Sequence, residues 1–321
     1  VGTPLPRRYR VVASSDLTAL SAVVLKRNAP DQEGCPSILS AARNGQVLSA
    51  GQAGGPAFLD NGVSTAAPSG AVALSVDGTR LLYSFPDRRL GVGAVESAEP
   101  LWTRTVHQGS LGGGGRALSP DGRVVVSVGG DPEVAVALRA DDGEVVWRWG
   151  HAARHPDRDL AIDEAVVAFS ESGLLAIGGE DGAIKWVDPE TGRVRLRREA
   201  HVGGPGLGVS VIRWSRDGSV LLSGGRDRFL RAWHGPTGRL LWEIRNEYVW
   251  VRLVGFSHDG KRVLFGGDDG LEVRCSRTGE ELDRIDFPER WGSLHGVICP
   301  DDAGFLLAVE SGELLQYSWS P

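Results

Sequence analysis

The chain has 321 residues, a length that a closed all-β fold can use as one unit, and 35 Lys and Arg stand against 41 Asp and Glu for a formal net charge of -6. This balance argues against a nucleic-acid partner, which would draw on a basic patch or a high pI. Cys35, Cys275 and Cys299 are odd in number and show no CxxC spacing, so they read as small buried apolar residues in a reducing, cytoplasmic setting.

The opening residues lack a signal-peptide pattern, because Ser14, Ser15, Asp16, Thr18 and Ser21 break the apolar stretch. No run approaches the ~18 apolar residues that a membrane helix needs, so no membrane role is expected. Lysine occurs only at Lys26, Lys185 and Lys261, against an abundance of arginine; that bias points to a GC-rich, bacterial genome.

In chain order, the first predicted element is a strand over Arg8–Ala13. A turn marker then recurs: Pro30-Asp31-Gln32-Glu33-Gly34, Ser75-Val76-Asp77-Gly78, Ser119-Pro120-Asp121-Gly122, Ser170-Glu171-Ser172-Gly173, Ser215-Arg216-Asp217-Gly218, Ser257-His258-Asp259-Gly260 and Pro300-Asp301-Asp302-Ala303-Gly304. Successive glycines stand 42 to 51 residues apart. Asp-Gly supplies the backbone angles of a tight hairpin turn, and each marker lies between short aliphatic or β-branched runs.

A second turn follows, as in Gly179-Glu180-Asp181-Gly182, Gly225-Arg226-Asp227-Arg228 and Gly267-Asp268-Asp269-Gly270. A third carries Asp142-Gly143, Thr191-Gly192, Thr237-Gly238 or Thr278-Gly279. Four antiparallel strands per ~40–45 residues is the period of a propeller blade.

The sequence therefore predicts a single all-β domain, a seven-bladed β-propeller. Its blades span about 17–62, 70–106, 116–150, 165–200, 209–246, 251–287 and 296–319. The last unit holds only three strands, and the surplus strand within 8–14 is expected to pair beside Glu313–Trp319 and close the ring.

Unit five resembles the WD40-repeat family. The resemblance implies that His201, Ser223, Asp227 and Trp233 form the family's blade-locking hydrogen-bonded set, with the aspartate six residues before the tryptophan. Other units depart from the pattern. Val187 stands at the tryptophan's place in unit four, with Trp186 one residue early, and Asp269 and Cys275 take the Asp and Trp places in unit six. Thr237-Gly238-Arg239-Leu240-Leu241-Trp242 and Asp142-Gly143-Glu144-Val145-Val146-Trp147 also resemble quinoprotein repeats, although this chain is shorter and has fewer units than those enzymes.

Catalytic motifs are weak. Gly255–Arg262 nearly spells a phosphate loop, but Arg262 replaces the required Ser or Thr and the segment sits on a repeated hairpin. The tracts Gly112–Gly115 and Gly203–Gly208 read as flexible connections. The run Asp157, Asp159, Asp163 and Glu164 reads as a solvated loop, and there is no HExxH and no G-x-S-x-G. No metal and no cofactor are expected. Arg193, Arg195, Arg197 and Arg198 are expected on the solvent side of one outer strand.

Trp102, Trp147, Trp149 and Trp242 fall on outer strands, and Trp186, Trp214 and Trp233 on inner ones, where they pack between blades. Trp250 and Trp291 differ, because they lie at blade-to-blade connections. With Arg290, His295, Arg226, Arg228, Arg154 and His155 they form a candidate partner-binding rim, since Trp and Arg are enriched in interface hot spots. The expectation is a non-enzymatic scaffold that binds another protein through loops on one face. The alternative is an enzyme or small-ligand binder, of hydrolase, lyase or quinoprotein type, with its site at the axial channel.

Overall fold

The computed structural model describes residues 3–5, 24–26, 37–41, 47–50, 70–75, 79–84, 89–94, 100–107, 115–129, 134–149, 165–204, 207–245, 253–257, 259–267, 270–286, 294–298, 304–309 and 314–318. Among them every regular element is a strand. β1 (Thr3–Leu5) comes first. β2 (Val24–Lys26), β3 (Ser37–Ala41) and β4 (Val47–Ala50) form the first sheet. The second is β5 (Gly70–Leu74), β6 (Arg80–Ser84), β7 (Arg89–Ala94) and β8 (Pro100–Thr105). The third is β9 (Arg116–Leu118), β10 (Val124–Gly129), β11 (Val134–Arg139) and β12 (Val145–Arg148).

The fourth sheet is β13 (Val166–Phe169), β14 (Leu175–Gly178), β15 (Ala183–Val187) and β16 (Val194–Glu199). The fifth is β17 (Val209–Trp214), β18 (Val220–Gly225), β19 (Phe229–His234) and β20 (Arg239–Arg245). The sixth is β21 (Leu253–Phe256), β22 (Arg262–Gly267), β23 (Gly270–Cys275) and β24 (Glu281–Asp286). The seventh joins β25 (Leu294–Ile298), β26 (Gly304–Val309) and β27 (Leu314–Ser318) to β1.

The described strands thus make seven sheets, each an antiparallel meander. First strands of successive sheets lie side by side, β5 by β9, β9 by β13, β13 by β17, β17 by β21 and β21 by β25. The ring closes through β1, where Thr3 pairs with Gln316, Pro4 with Leu315 and Leu5 with Leu314. The paired residues are therefore Thr3–Leu5, and the expected Arg8–Ala13 lies outside the described residues. Proline is admissible at Pro4 because β1 is an edge strand, where a missing N–H breaks no ladder on its outer side.

Apolar side chains are buried between sheets. Leu82, Leu90, Val92 and Val106 of the second sheet pack on Leu118, Val125, Val136 and Leu138 of the third. Ala176, Ile184 and Trp186 of the fourth pack on Val209, Ile212, Leu221 and Trp233 of the fifth. Strands with a sheet on each face are buried throughout, as in Leu175–Gly178 and Val220–Gly225. The outermost strands β8, β16 and β24 show alternating exposure instead.

Among the described residues, tryptophans staple blades two, three, four and five each to the next. The Nε1–H of Trp102 donates to Ala140 O at 2.7 Å, that of Trp147 to Pro189 O at 2.8 Å, and that of Trp242 to Ser276 O at 2.8 Å. In each case the indole also covers a third-turn glycine of that next blade. A Cβ on Gly143 would stand 2.7 Å from Trp102, one on Gly192 2.7 Å from Trp147 and one on Gly279 2.9 Å from Trp242. Leu196 takes the indole's place above Gly238, where Trp186 donates instead to Gly235 O at 2.8 Å.

The fourth strands of sheets two to six each carry a β-bulge opposite the second half of the third strand, as between Ala137 and Leu138 or Ala232 and Trp233. A bulge twists the edge and discourages pairing with a foreign strand. It also exposes Leu101, Val145, Val194, Leu240 and Leu282 at the start of those strands. In β16, Arg195 at the bulge and Arg197 beyond it face solvent as expected. Arg198 does not share that side: it is half-buried and its Nε donates to Gly238 O at 3.0 Å.

Candidate functional site

Second turns and the connections from a fourth strand to the next first strand emerge on the same face, by the order of an antiparallel meander. Blades four and five describe this face best. Here the connection His201–Gly208 lies between the second turn of blade four, Gly179–Gly182, and that of blade five, Gly225–Arg228.

The connection is pinned. Gly204 N donates to Glu180 O at 2.9 Å, Val209 N to Gly179 O at 3.1 Å, and His201 N to Gly182 O at 2.8 Å. Gly208 N closes the loop on Val202 O at 2.9 Å. Of the tract expected as a flexible connection, Gly204 and Gly208 are thus held by backbone hydrogen bonds, while residues 205 and 206 lie outside the described residues. Glycine serves close packing here, since a Cβ on Gly208 would stand 2.5 Å from Gly179 O.

Beneath the loop, His201, Ser223, Asp227 and Trp233 meet. His201 Nδ1 lies 2.9 Å from Asp227 Oδ1, and its Nε2 lies 2.9 Å from Ser223 Oγ. Trp233 Nε1–H donates to Ser223 Oγ at 2.9 Å. The Ser223 oxygen accepts from the indole, and His201 Nδ1 faces both the Asp227 carboxylate and Arg231 Nη1, the latter at 3.0 Å. Phe229 N donates to Asp227 Oδ1 at 3.1 Å, and Arg231 Nη1 to Oδ2 at 3.0 Å. Burial alone would raise the pKa of Asp227, but the His201 hydrogen bond and charge, with those of Phe229 and Arg231, hold it well below the usual carboxylate range.

Serine, histidine and aspartate in this order match the geometry of a nucleophile relay. Two facts tell against that chemistry here. Ser223 is 0% exposed, and its oxygen already accepts the Trp233 N–H. The set is a lock joining the connection, the second turn and two strands of blade five.

Blade three holds a partial copy that sequence reasoning missed. The buried His107 places Nε2 2.8 Å from Ser127 Oγ. Leu138 stands where a tryptophan would complete the pattern, opposite Val125 as Trp233 is opposite Leu221, so the only available signal was a histidine before β9 and a serine within β10. In blade six the second turn is one residue shorter than in blade five, because Gly267 pairs with Gly270. Arg274, not the expected Cys275, therefore falls at the place of Trp233, opposite Val263 as Trp233 is opposite Leu221. Asp269 lies outside the described residues.

Of the expected rim, Arg226 and Arg228 flank Asp227 in the second turn of blade five. Trp250, Arg290, Trp291, Arg154 and His155 lie outside the described residues. His295 belongs to strand β25 and not to a connection. Quinoprotein-like repeats would imply a quinone cofactor with a calcium ion, but among the described residues no three His, Cys, Asp or Glu side chains gather to hold a metal.

Residues 196–234 match the family described as WD domain, G-beta repeat, and residues 88–202 match the family described as Outer membrane protein assembly factor BamB. The first segment contains the His201 lock, and the second contains the Trp102 and Trp147 staples with their glycines. Telomerase protein component 1 of Rattus norvegicus is 24% identical over 73% of this chain and 9% of its own length. Cilia- and flagella-associated protein 52 of Homo sapiens is 28% identical over 39% of this chain and 20% of its length. The Outer membrane protein assembly factor BamB of Yersinia pestis is 30% identical over 44% of this chain and 33% of its length. The chain thus spans a third or less of each of these relatives.

A crystal structure of the Cps50 (Swd1) beta-propeller domain of Myceliophteria thermophila superposes with a TM-score of 0.64 over 100% of both chains, at 13% identity. Matched repeat, hydrogen-bonded lock and ring of meanders converge on one fold: this chain is a β-propeller whose fifth blade is similar to the WD domain, G-beta repeat.

Proposed function

We propose that this chain is a protein-interaction scaffold that holds a partner protein on the loop-bearing face of the disc. The observation that carries this reading is the pinned connection His201–Gly208. A loop anchored to two second turns presents a surface already ordered before binding, which spares the entropy of ordering it on contact. The relay-like Ser223 and His201 are sealed beneath it and serve the lock. The names of the relatives bear on the reading only in part, because this chain spans a minor share of each.

Capture from the native source with the intact chain as bait tests it. Charge reversal of Arg226 and Arg228 to Glu on the loop face is compared with Arg123→Glu on a first turn, at the opposite face. Loss of the same captured protein with the first variant alone supports the reading. Equal capture by both sinks it.

A further inference from the structure

We propose that the seam between blades four and five docks a linear acidic segment of a partner protein, in which an Asp or Glu side chain is flanked by an aliphatic residue. This rests on the scaffold reading above and specifies the chemistry of its partner.

The first observation is Arg228. Among the described residues it is the one non-glycine with positive φ, at 67°. The equivalent residue of blade four is Gly182, at φ 73°. A glycine would be at ease here, so local backbone preference does not explain the arginine; such retained strain is a pointer to function. The side chain is exposed, and it makes no hydrogen bond or ion pair among the described residues.

The second is charge. The carboxylates of this seam are already answered. Asp181 pairs with Lys185 at 2.6 Å and Arg197 at 3.4 Å, and Asp227 pairs with Arg231 at 3.0 Å. Among the described residues the guanidinium of Arg228 has no counter-charge, on a chain whose formal net charge is -6.

The third is the apolar flank. Val202 is 58% exposed and Leu207 37% exposed. The Gly208 N to Val202 O bond at 2.9 Å folds the two ends of the loop together, and Val202 N lies 3.4 Å from Asp227, the neighbour of Arg228. Two aliphatic side chains on a fixed loop beside one free guanidinium fit a carboxylate with an apolar neighbour. A nucleic acid would call for several cations and no apolar flank.

The test pans random linear peptides, displayed on phage, against the intact chain. Recovered peptides are then titrated against wild type, Arg228→Gly and a Val202→Ser/Leu207→Ser double variant. The expected peptides carry Asp or Glu next to Leu, Ile or Val. Arg228→Gly weakens them about tenfold or more, the scale of a lost charge-assisted hydrogen bond. Arg228→Gly also relieves the backbone, so its thermal midpoint does not fall and lost binding is not lost folding.

Peptides without acidic residues, equal binding to all three proteins, displacement by single-stranded DNA, or a library that yields no binder each overturn the proposal. A native partner that is lost on charge reversal of Arg226 and Arg228 but is indifferent to Arg228→Gly overturns the seam and leaves the scaffold reading standing.

Discussion

His107 and Ser127 repeat in blade three the contact that His201 and Ser223 make in blade five, at 2.8 Å against 2.9 Å. The surroundings differ. His201 has a carboxylate against its other nitrogen, whereas His107 faces the positive charges of Arg116 and Arg148.

That difference predicts acid sensitivity. Burial first, then Arg116 and Arg148, lowers the pKa of His107 from 6.5 to about 4. The folded value lies below the unfolded one, so folding favours the neutral ring. Its contribution is intact above pH 6.5 and is lost as the pH falls toward 4, by about 3 kcal/mol in all. Urea denaturation from pH 7 downward checks this. His107→Gln should flatten the profile across that window, and an unchanged slope would refute the assignment.

The Trp147 staple should behave as a coupled pair with Gly192. Gly192→Ala adds a Cβ about 2.7 Å from the indole at a φ of 71°, and should cost about 1–3 kcal/mol. Trp147→Ala should cost about 3–5 kcal/mol. In a double-mutant cycle the alanine at Gly192 should be cheaper once the indole is gone, leaving only the backbone strain. Strict additivity of the two would contradict the packing described.

Arg231 holds two carboxylates, and burial decides which matters. The side chain of Asp227 is 6% exposed and that of Glu243 49% exposed, each 3.0 Å from the guanidinium. Asp227→Asn should cost about 2–4 kcal/mol, because it removes the buried charge and turns one of two engaged acceptor oxygens into an amide donor facing Arg231 or His201. Glu243→Gln should cost less than about 1 kcal/mol. Equilibrium unfolding of the two variants separates the cases, and a reversed order would refute the lock.

Arg228→Gly should stabilise the chain by about 0.5–1 kcal/mol, since it replaces a strained left-handed residue by one that adopts φ 67° freely. A gain in thermal midpoint together with lost peptide binding is the expected pair of results.

The sequence made the ring legible because each blade repeats a turn whose chemistry is local. Ser215 Oγ bonds Asp217 Oδ1 at 2.7 Å and Ser257 Oγ bonds Asp259 Oδ1 at 2.7 Å, with no help from distant residues. The closing strand was misplaced because Thr3-Pro4-Leu5 has little strand preference of its own; its pairing with β27 is a tertiary effect. Arg198 was grouped with Arg195 and Arg197 although it is one residue out of their alternation, and period two places it on the inner side, where it is found.

The lock in blade five was legible from residue types, but the strain at Arg228 was not. Nothing in Asp227-Arg228 announces a left-handed backbone; only comparison with Gly182 in the folded repeat does. Cys275 was aligned one residue late because turn length, not spacing in the sequence, sets which residue faces Val263.

The pairing of Thr3 with Gln316 has a consequence for biosynthesis. Strand β1 must wait for β27 to be synthesised, roughly 15–60 s at about 5–20 residues per second. Throughout that interval the nascent disc is an open horseshoe with two sticky ends, and a neighbouring nascent chain on the same message could supply the missing latch. Spacing of ribosomes along the transcript would then govern how much of the product is single rings and how much is exchanged pairs.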